Sequence, residues 1–265
     1  MKKLFVLIAA ACMTYTAAFA QTVKPFKEGE RAVFLGNSIT DGGHYHSYIW
    51  LYYMTRFPDM PIRVFNGGIG GDTAYDMNKR LDGDIFAMKP SVLMVTFGMN
   101  DSGYFEYNGD KPKEFGEQKY QESVKNYQQM EKRFKDLPDT RIVMVGTSPY
   151  DETVQLKENT PFKTKNETIK RLVEYQKESA AKNNWEFTDL NAPMTAINQQ
   201  YQQKDPTFTL CGSDRIHPDN DGHMVMAYLF LKAQGFVGKE VADMEINANK
   251  KQAVKSENCT ISNIK

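Results

Sequence analysis

Cysteine is scarce, with three in 265 residues. Cys12 lies near the N-terminus. Cys211 and Cys259 are far apart, and two thiols make no disulfide framework. Charge of one sign is also missing. Lys plus Arg and Asp plus Glu are both 33, so no basic excess points to nucleic acid and no acidic run forms a tail. There is no internal repeat and no low-complexity linker. Beyond the N-terminus no apolar run approaches the ~20 residues of a membrane span. The glycine-rich turns contain neither G-x-G-x-x-G nor a P-loop lysine, which excludes the common phosphate-cradling signatures. What is present is a chain 41% hydrophobic and 25% charged, the composition of a globular protein with room for a core.

Residues 1–20 read as an address. Lys2 and Lys3 precede an apolar stretch over 4–11, and Ala18-Phe19-Ala20 supplies a small-x-small cleavage site. This pattern predicts a secretory signal peptide cut before Gln21, hence an exported protein, periplasmic or extracellular, with no transmembrane anchor. Cys12, after three alanines, raises a lipid-anchored alternative. Ala9 stands where that motif has leucine.

Apolar runs over 31–38, 62–69, 91–97, 141–147 and 185–190 alternate with segments of helical period over 46–57, 73–86, 117–135, 164–184, 191–203 and 219–234. The strand runs are continuously apolar, as in strands covered on both faces. The expected fold is α/β, a three-layer α/β/α sandwich of about five parallel strands, with one domain over 21–238. Long loops over 99–116 and 150–163 interrupt the pattern. The Lys/Asn/Glu-rich tail over 239–265 reads as an added edge strand or the start of a further module.

In an open parallel sheet, ligands bind beyond the carboxyl ends of the strands. Four polar clusters fall at such ends or on the same rim: 36–43, 66–73, 98–101 and 214–218. Together they contain the parts of an acyl-transfer site. Ser38 can be the nucleophile, and an alcohol needs a base within hydrogen-bond reach. His217 can be that base. Asp214, three residues earlier, can accept from the other ring nitrogen and fix the tautomer. The Ser38 and Gly71 backbone N–H groups and the Asn100 amide can receive an oxyanion. His44, Tyr45 and His46 follow the nucleophile closely and are candidates for lining the cleft. A metal site built from His44, His46 and His217 has no acidic ligands in a metallohydrolase pattern, so neither metal nor cofactor is expected.

The blocks FLGNSITDGG, NGGIGGDT, FGMND and DRIHP resemble those of the SGNH (GDSL) hydrolases, whose four named residues match Ser38, Gly71, Asn100 and His217 in order. The resemblance covers about residues 31–235. It implies a flavodoxin-like fold, no metal, and esterase, lipase or carbohydrate deacetylase activity. Asn37 departs from the family's aspartate, a residue that holds the block rather than reacting. An α/β-hydrolase is excluded, because Gly36-x-Ser38-x-Thr40 lacks the last glycine of G-x-S-x-G. The expected function is a secreted serine esterase acting on O-acyl groups, most simply O-acetyl groups of a polysaccharide. The alternatives are a lipase or lysophospholipase, with aromatics over 48–53 facing an acyl chain, and a non-catalytic carbohydrate-binding protein on the same scaffold.

Overall fold

The computed structural model describes residues 22–157 and 160–264. The expected signal peptide, Cys12 included, lies outside the described residues. Strand β1 (Arg31–Gly36) is flanked by β2 (Arg63–Gly68) and β3 (Val92–Val95), and the sheet continues through β4 (Arg141–Gly146) to β5 (Glu186–Asp189). The order is β2-β1-β3-β4-β5, and every pairing is parallel.

The helices are α1 (Ser38–Asp41), α2 (His44–Arg56), α3 (Ala74–Arg80), α4 (Pro112–Lys135), α5 (Lys165–Lys182), α6 (Asn191–Gln202) and α7 (Asn220–Ala233). They form the two outer layers. Successive strand residues point to opposite faces, and each face has its own core. Phe34, Met94 and Val143 pack with Ile49 and Tyr53 of α2, Met194 of α6 and Phe230 of α7. Val33, Leu35, Val95 and Met144 pack with Met77 of α3 and with Tyr127, Met130 and Phe134 of α4. Helix α5 contributes Ile169 and Val173 to the first core and Ala180 to the second. Two covered faces leave no polar positions in the central strands, which is why they read as continuous apolar runs. Each fully buried large side chain contributes about 1.5–3 kcal/mol.

Two helices differ from their expected bounds by more than two residues. The segment expected as one helix over 73–86 is α-helical only to Arg80, then widens into a π turn over Leu81–Ile85 and a 3-10 turn over Phe86–Met88. Gly83 weakens the helix there, and Pro90 disfavours helical geometry at Lys89, whose φ is 50°. Helix α4 starts earlier than expected, at Pro112, because a first-turn position loses nothing by lacking an N–H.

The tail does not add to the main sheet. Residues β6 (Asp243–Asn247) and β7 (Gln252–Glu257) pair with each other as a separate antiparallel hairpin. Cys211 and Cys259 are free thiols. Cys211 is buried beneath Pro149, to whose carbonyl it donates at 3.2 Å, and burial pushes its thiol up to about 12.

The end of β2 touches the turn after β1. A Cβ on Gly68 would lie 2.2 Å from the Asp41 backbone nitrogen, so only glycine lets the two segments meet. Gly68→Ala should destabilise by ~1–3 kcal/mol, read as a lower melting temperature. An unchanged melting temperature would show that the contact yields without strain.

Candidate active site

In the order 2-1-3-4-5 the chain runs to one side of β1 and then to the other, opening a crevice at the carboxyl ends of β1 and β3. The three loops that leave β1, β2 and β3 are joined there by polar side chains. Asn66 donates to Asp41 O at 2.9 Å and accepts from Gly68 N at 2.9 Å. Arg80 donates to Asp72 Oδ2 at 2.6 Å, Gly67 O at 2.8 Å and Gly36 O at 3.2 Å, tying two strand ends to the second loop. Asp101 is buried and accepts from Ala74 N, Gly98 N and Ser123 Oγ at 2.9–3.0 Å.

Ser38 opens the short α1. Asn37 caps it, its Oδ1 accepting from Ile39 N at 3.1 Å. An amide oxygen makes the same cap as a carboxylate, so the departure from aspartate keeps the turn. In the segment between α6 and α7, Asp214 and His217 share one turn. Asp214 Oδ1 accepts from Ile216 N and His217 N, both at 2.9 Å. Its Oδ2 faces His217 Nδ1 at 2.6 Å, and His217 Nε2 faces Ser38 Oγ at 2.7 Å. A carboxylate only accepts, so Nδ1 carries the proton and Nε2 presents a lone pair to the serine hydroxyl. Between the two, Arg215 takes a left-handed φ of 69°. Its buried guanidinium donates to Asp151 O at 3.1 Å and Val154 O at 2.7 Å, fastening the turn to the 150–163 loop.

Gly71 has φ 83°, and a Cβ there would meet nothing within 4 Å. The glycine serves the backbone conformation, and the space over it is open. The Asn100 amide donates to Asp72 O at 2.9 Å, which joins the third block to the second. Its Oδ1 accepts from the Tyr104 hydroxyl at 2.5 Å.

Two of the candidate cleft residues are not at the cleft. Tyr45 and His46 are buried. The Tyr45 hydroxyl pairs with Thr40 Oγ1 at 3.0 Å and His46 Nε2 with Thr40 O at 3.2 Å, so both support α1 from beneath. His44 alone of the three is exposed. It lines a cavity of about 380 Å3 with Pro218, Asp219 and His223, beside the His217 turn. His223 is buried against the rings of Tyr45 and His44. Burial, and then the neighbouring histidines, push it down to about 4. Among the described residues no three His, Cys, Asp or Glu side chains are grouped to hold a metal.

The residue composition did not single out Lys165 or Phe162. Lys165 is fully buried beneath the 99–103 loop. Phe162 packs against Tyr104, Phe105 and Tyr150, joining the two long loops. No local signal marks either residue, because each acquires its setting from a distant loop.

Residues 34–225 match the model of the GDSL-like Lipase/Acylhydrolase family. The chain is 27% identical to an acetylxylan esterase of Geobacillus stearothermophilus over 224 residues, 78% of this chain and 95% of that protein. A solved structure of that organism's acetylxylan esterase Axe2 superposes with a TM-score of 0.62 at 25% identity, over 81% of this chain and 96% of that one. The structure of BT4096, a gut microbial diltiazem-metabolizing enzyme, is 84% identical with a TM-score of 0.88, covering 92% of this chain. The chain spans 55% of that enzyme's length.

The electrostatics of the turn are testable. The Asp214 hydrogen bond raises the His217 pKa above its ordinary 6.5, against the opposing effect of burial. Burial acts to raise the Asp214 carboxyl, but the bonds from the His217 ring, His217 N and Ile216 N outweigh it and hold the group low. The protonated ring therefore favours the fold below the unfolded imidazole's pKa, a contribution lost as pH rises through the folded value. The Asp214 contribution is present above the unfolded carboxyl's pKa and lost as pH falls through the folded one. Imidazole NMR should show His217 titrating above 6.5 in the native chain and lower in Asp214→Asn. An unmoved titration would separate the two side chains in solution.

Proposed function

The chain belongs to the GDSL-like lipase/acylhydrolase family, whose chemistry is carboxylic ester hydrolysis, and we propose that it is an exported serine esterase that removes O-acetyl groups from carbohydrate. The observation that carries the reading is the relay from Asp214 through His217 to Ser38, with contacts of 2.6 and 2.7 Å. In this mechanism His217 Nε2 takes the hydroxyl proton as Ser38 Oγ attacks the acetyl carbon. Asp214 stabilises the imidazolium that forms. The Ser38 and Gly71 backbone N–H groups and Asn100 Nδ2 receive the oxyanion, where one donor is typically worth ~3–4 kcal/mol. Collapse of the tetrahedral intermediate breaks the ester C–O bond. The sugar alcohol leaves with the proton from His217, and the acetyl group remains on Ser38. Water, deprotonated by the same histidine, then releases acetate.

The likeness to an acetylxylan esterase supports acetyl as the acyl group. Export rests on residues 1–20 and directs the enzyme to polysaccharide in the periplasm or outside the cell. No helix among the described residues is long and apolar enough to cross a membrane.

The test is acetate release from acetylated xylan, with Ser38→Ala in parallel and aryl esters from acetyl to palmitoyl. The expected result is acetate release by the native enzyme, a loss of about a thousandfold or more in Ser38→Ala, falling rates with longer acyl chains, and no effect of chelators. A Ser38→Ala variant as active as the native chain would remove the serine mechanism. Preference for palmitoyl esters would make the protein a lipase, and glycan binding without cleavage of any ester would make it a binding protein.

A further inference from the structure

We propose that Tyr104 and Lys165 act as a positioning pair that fixes the orientation of the Asn100 amide toward the oxyanion, an inference that rests on the esterase reading above. The two ends of a primary amide are chemically opposite, and a half-turn of the group exchanges donor for acceptor. At Asn100 both ends are specified. A backbone carbonyl only accepts, so Asp72 O selects Nδ2, at 2.9 Å. The Tyr104 hydroxyl donates to Oδ1 at 2.5 Å. One Nδ2 hydrogen is thereby used, and the second has no acceptor among the described residues. A donor held in place before charge develops, with its hydrogen still free, needs no reorganisation during the reaction.

Tyr104 sits on an irregular loop and needs support of its own. Lys165 supplies it. The Lys165 ammonium lies 3.9 Å from the centre of the Tyr104 ring and donates to Met99 O at 2.7 Å, Ser102 Oγ at 2.6 Å and Gly103 O at 2.5 Å. These acceptors flank Asn100 on both sides. A fully buried ammonium is tolerated only when its hydrogens are satisfied. Here all three are satisfied only if residues 99–103 adopt this one path, so the burial of Lys165 imposes the shape of the loop. Desolvation draws the lysine down to about 7, opposed by Asp101 and Glu152. On another edge Phe162 packs 5.9 Å from the Tyr104 ring, so the second long loop also bears on the amide.

The experiment is a double-mutant cycle on kcat and KM for an aryl acetate, with melting temperatures recorded for each variant. Tyr104→Phe should lower kcat by about tenfold with KM within about twofold. In an Asn100→Ala background the same change should cost less than about twofold, because the group it orients is gone. Lys165→Met, or Lys165→Arg if the methionine variant fails to fold, should show the same dependence on Asn100. Equal losses in both backgrounds would overturn the positioning role while leaving the esterase intact. If Asn100→Ala itself left kcat unchanged while Ser38→Ala abolished it, the oxyanion role of Asn100 would fall and this proposal with it. Full activity in Ser38→Ala would instead remove the underlying mechanism.

Discussion

Burial of a parallel sheet on both faces is the constraint from which the rest of this structure follows. Apolar residues must fill every interior position of β1, β3 and β4, since Phe34 and Met94 face one helical layer while Leu35 and Val95 face the other. Polar chemistry is thereby expelled to the strand ends. All five strands run the same way, so their carboxyl ends share one edge. The reversal of winding at β1 then leaves a crevice between the loops that follow β1 and β3. Ser38, Gly71 and Asn100 all belong to loops or turns that begin at this edge.

The edge would be loose without the charged and polar side chains buried beneath it. Arg80 binds carbonyls of two strand ends as well as Asp72. Asp101 accepts from three partners contributed by three segments. Lys165 is saturated by one loop, and Arg215 ties the Asp214–His217 turn to another. Isolated buried charges would be costly, and each of these is matched by oriented acceptors or donors. Their effect is specificity of loop conformation more than net stability. By contrast, Asp214 and His217 are about half exposed, with side-chain exposures of 47% and 48%. The relay is thus a solvated pair placed on a rigid, desolvated base, open to a large substrate.

That openness suits the proposed substrate. A polysaccharide must lie across the site rather than enter a tunnel, and the ring alcohol bearing the acetyl group need only reach Ser38. The exposed Phe105, 80% accessible, stands on the loop next to Tyr104. His44, the first residue of α2, lines the cavity beside Pro218. These surroundings differ from the machinery itself, and fold alone does not choose among esters.

Much of the fold was legible because burial on two faces leaves a strong local trace. A continuous apolar run ending in Gly-Asn-Ser or Gly-Met-Asn-Asp reads as a central strand with a polar turn, whatever lies around it. The β2 edge is less clear, since Arg63 is exposed and the strand only partly covered. Helix α3 is shorter than its apolar periodicity suggests, because Gly83 and Pro90 act on geometry more than on that periodicity. The tail leaves an edge strand and a further module both open in the sequence, because short polar strands carry no signal of which partner they will pair with. Tyr45 and His46 illustrate the limit at the site. Closeness to Ser38 in sequence suggested the cleft, but packing of α2 on α7 and β1 sets the rotation of the helix and turns both side chains inward. By itself the sequence determined the layered α/β order and which polar clusters end the strands, since both follow from local hydrophobic pattern. Only the tertiary structure decided that Lys165 lies under Asn100's loop, and that His44 faces out while its neighbours face in. Those outcomes depend on contacts between segments remote in the chain, which no local pattern encodes.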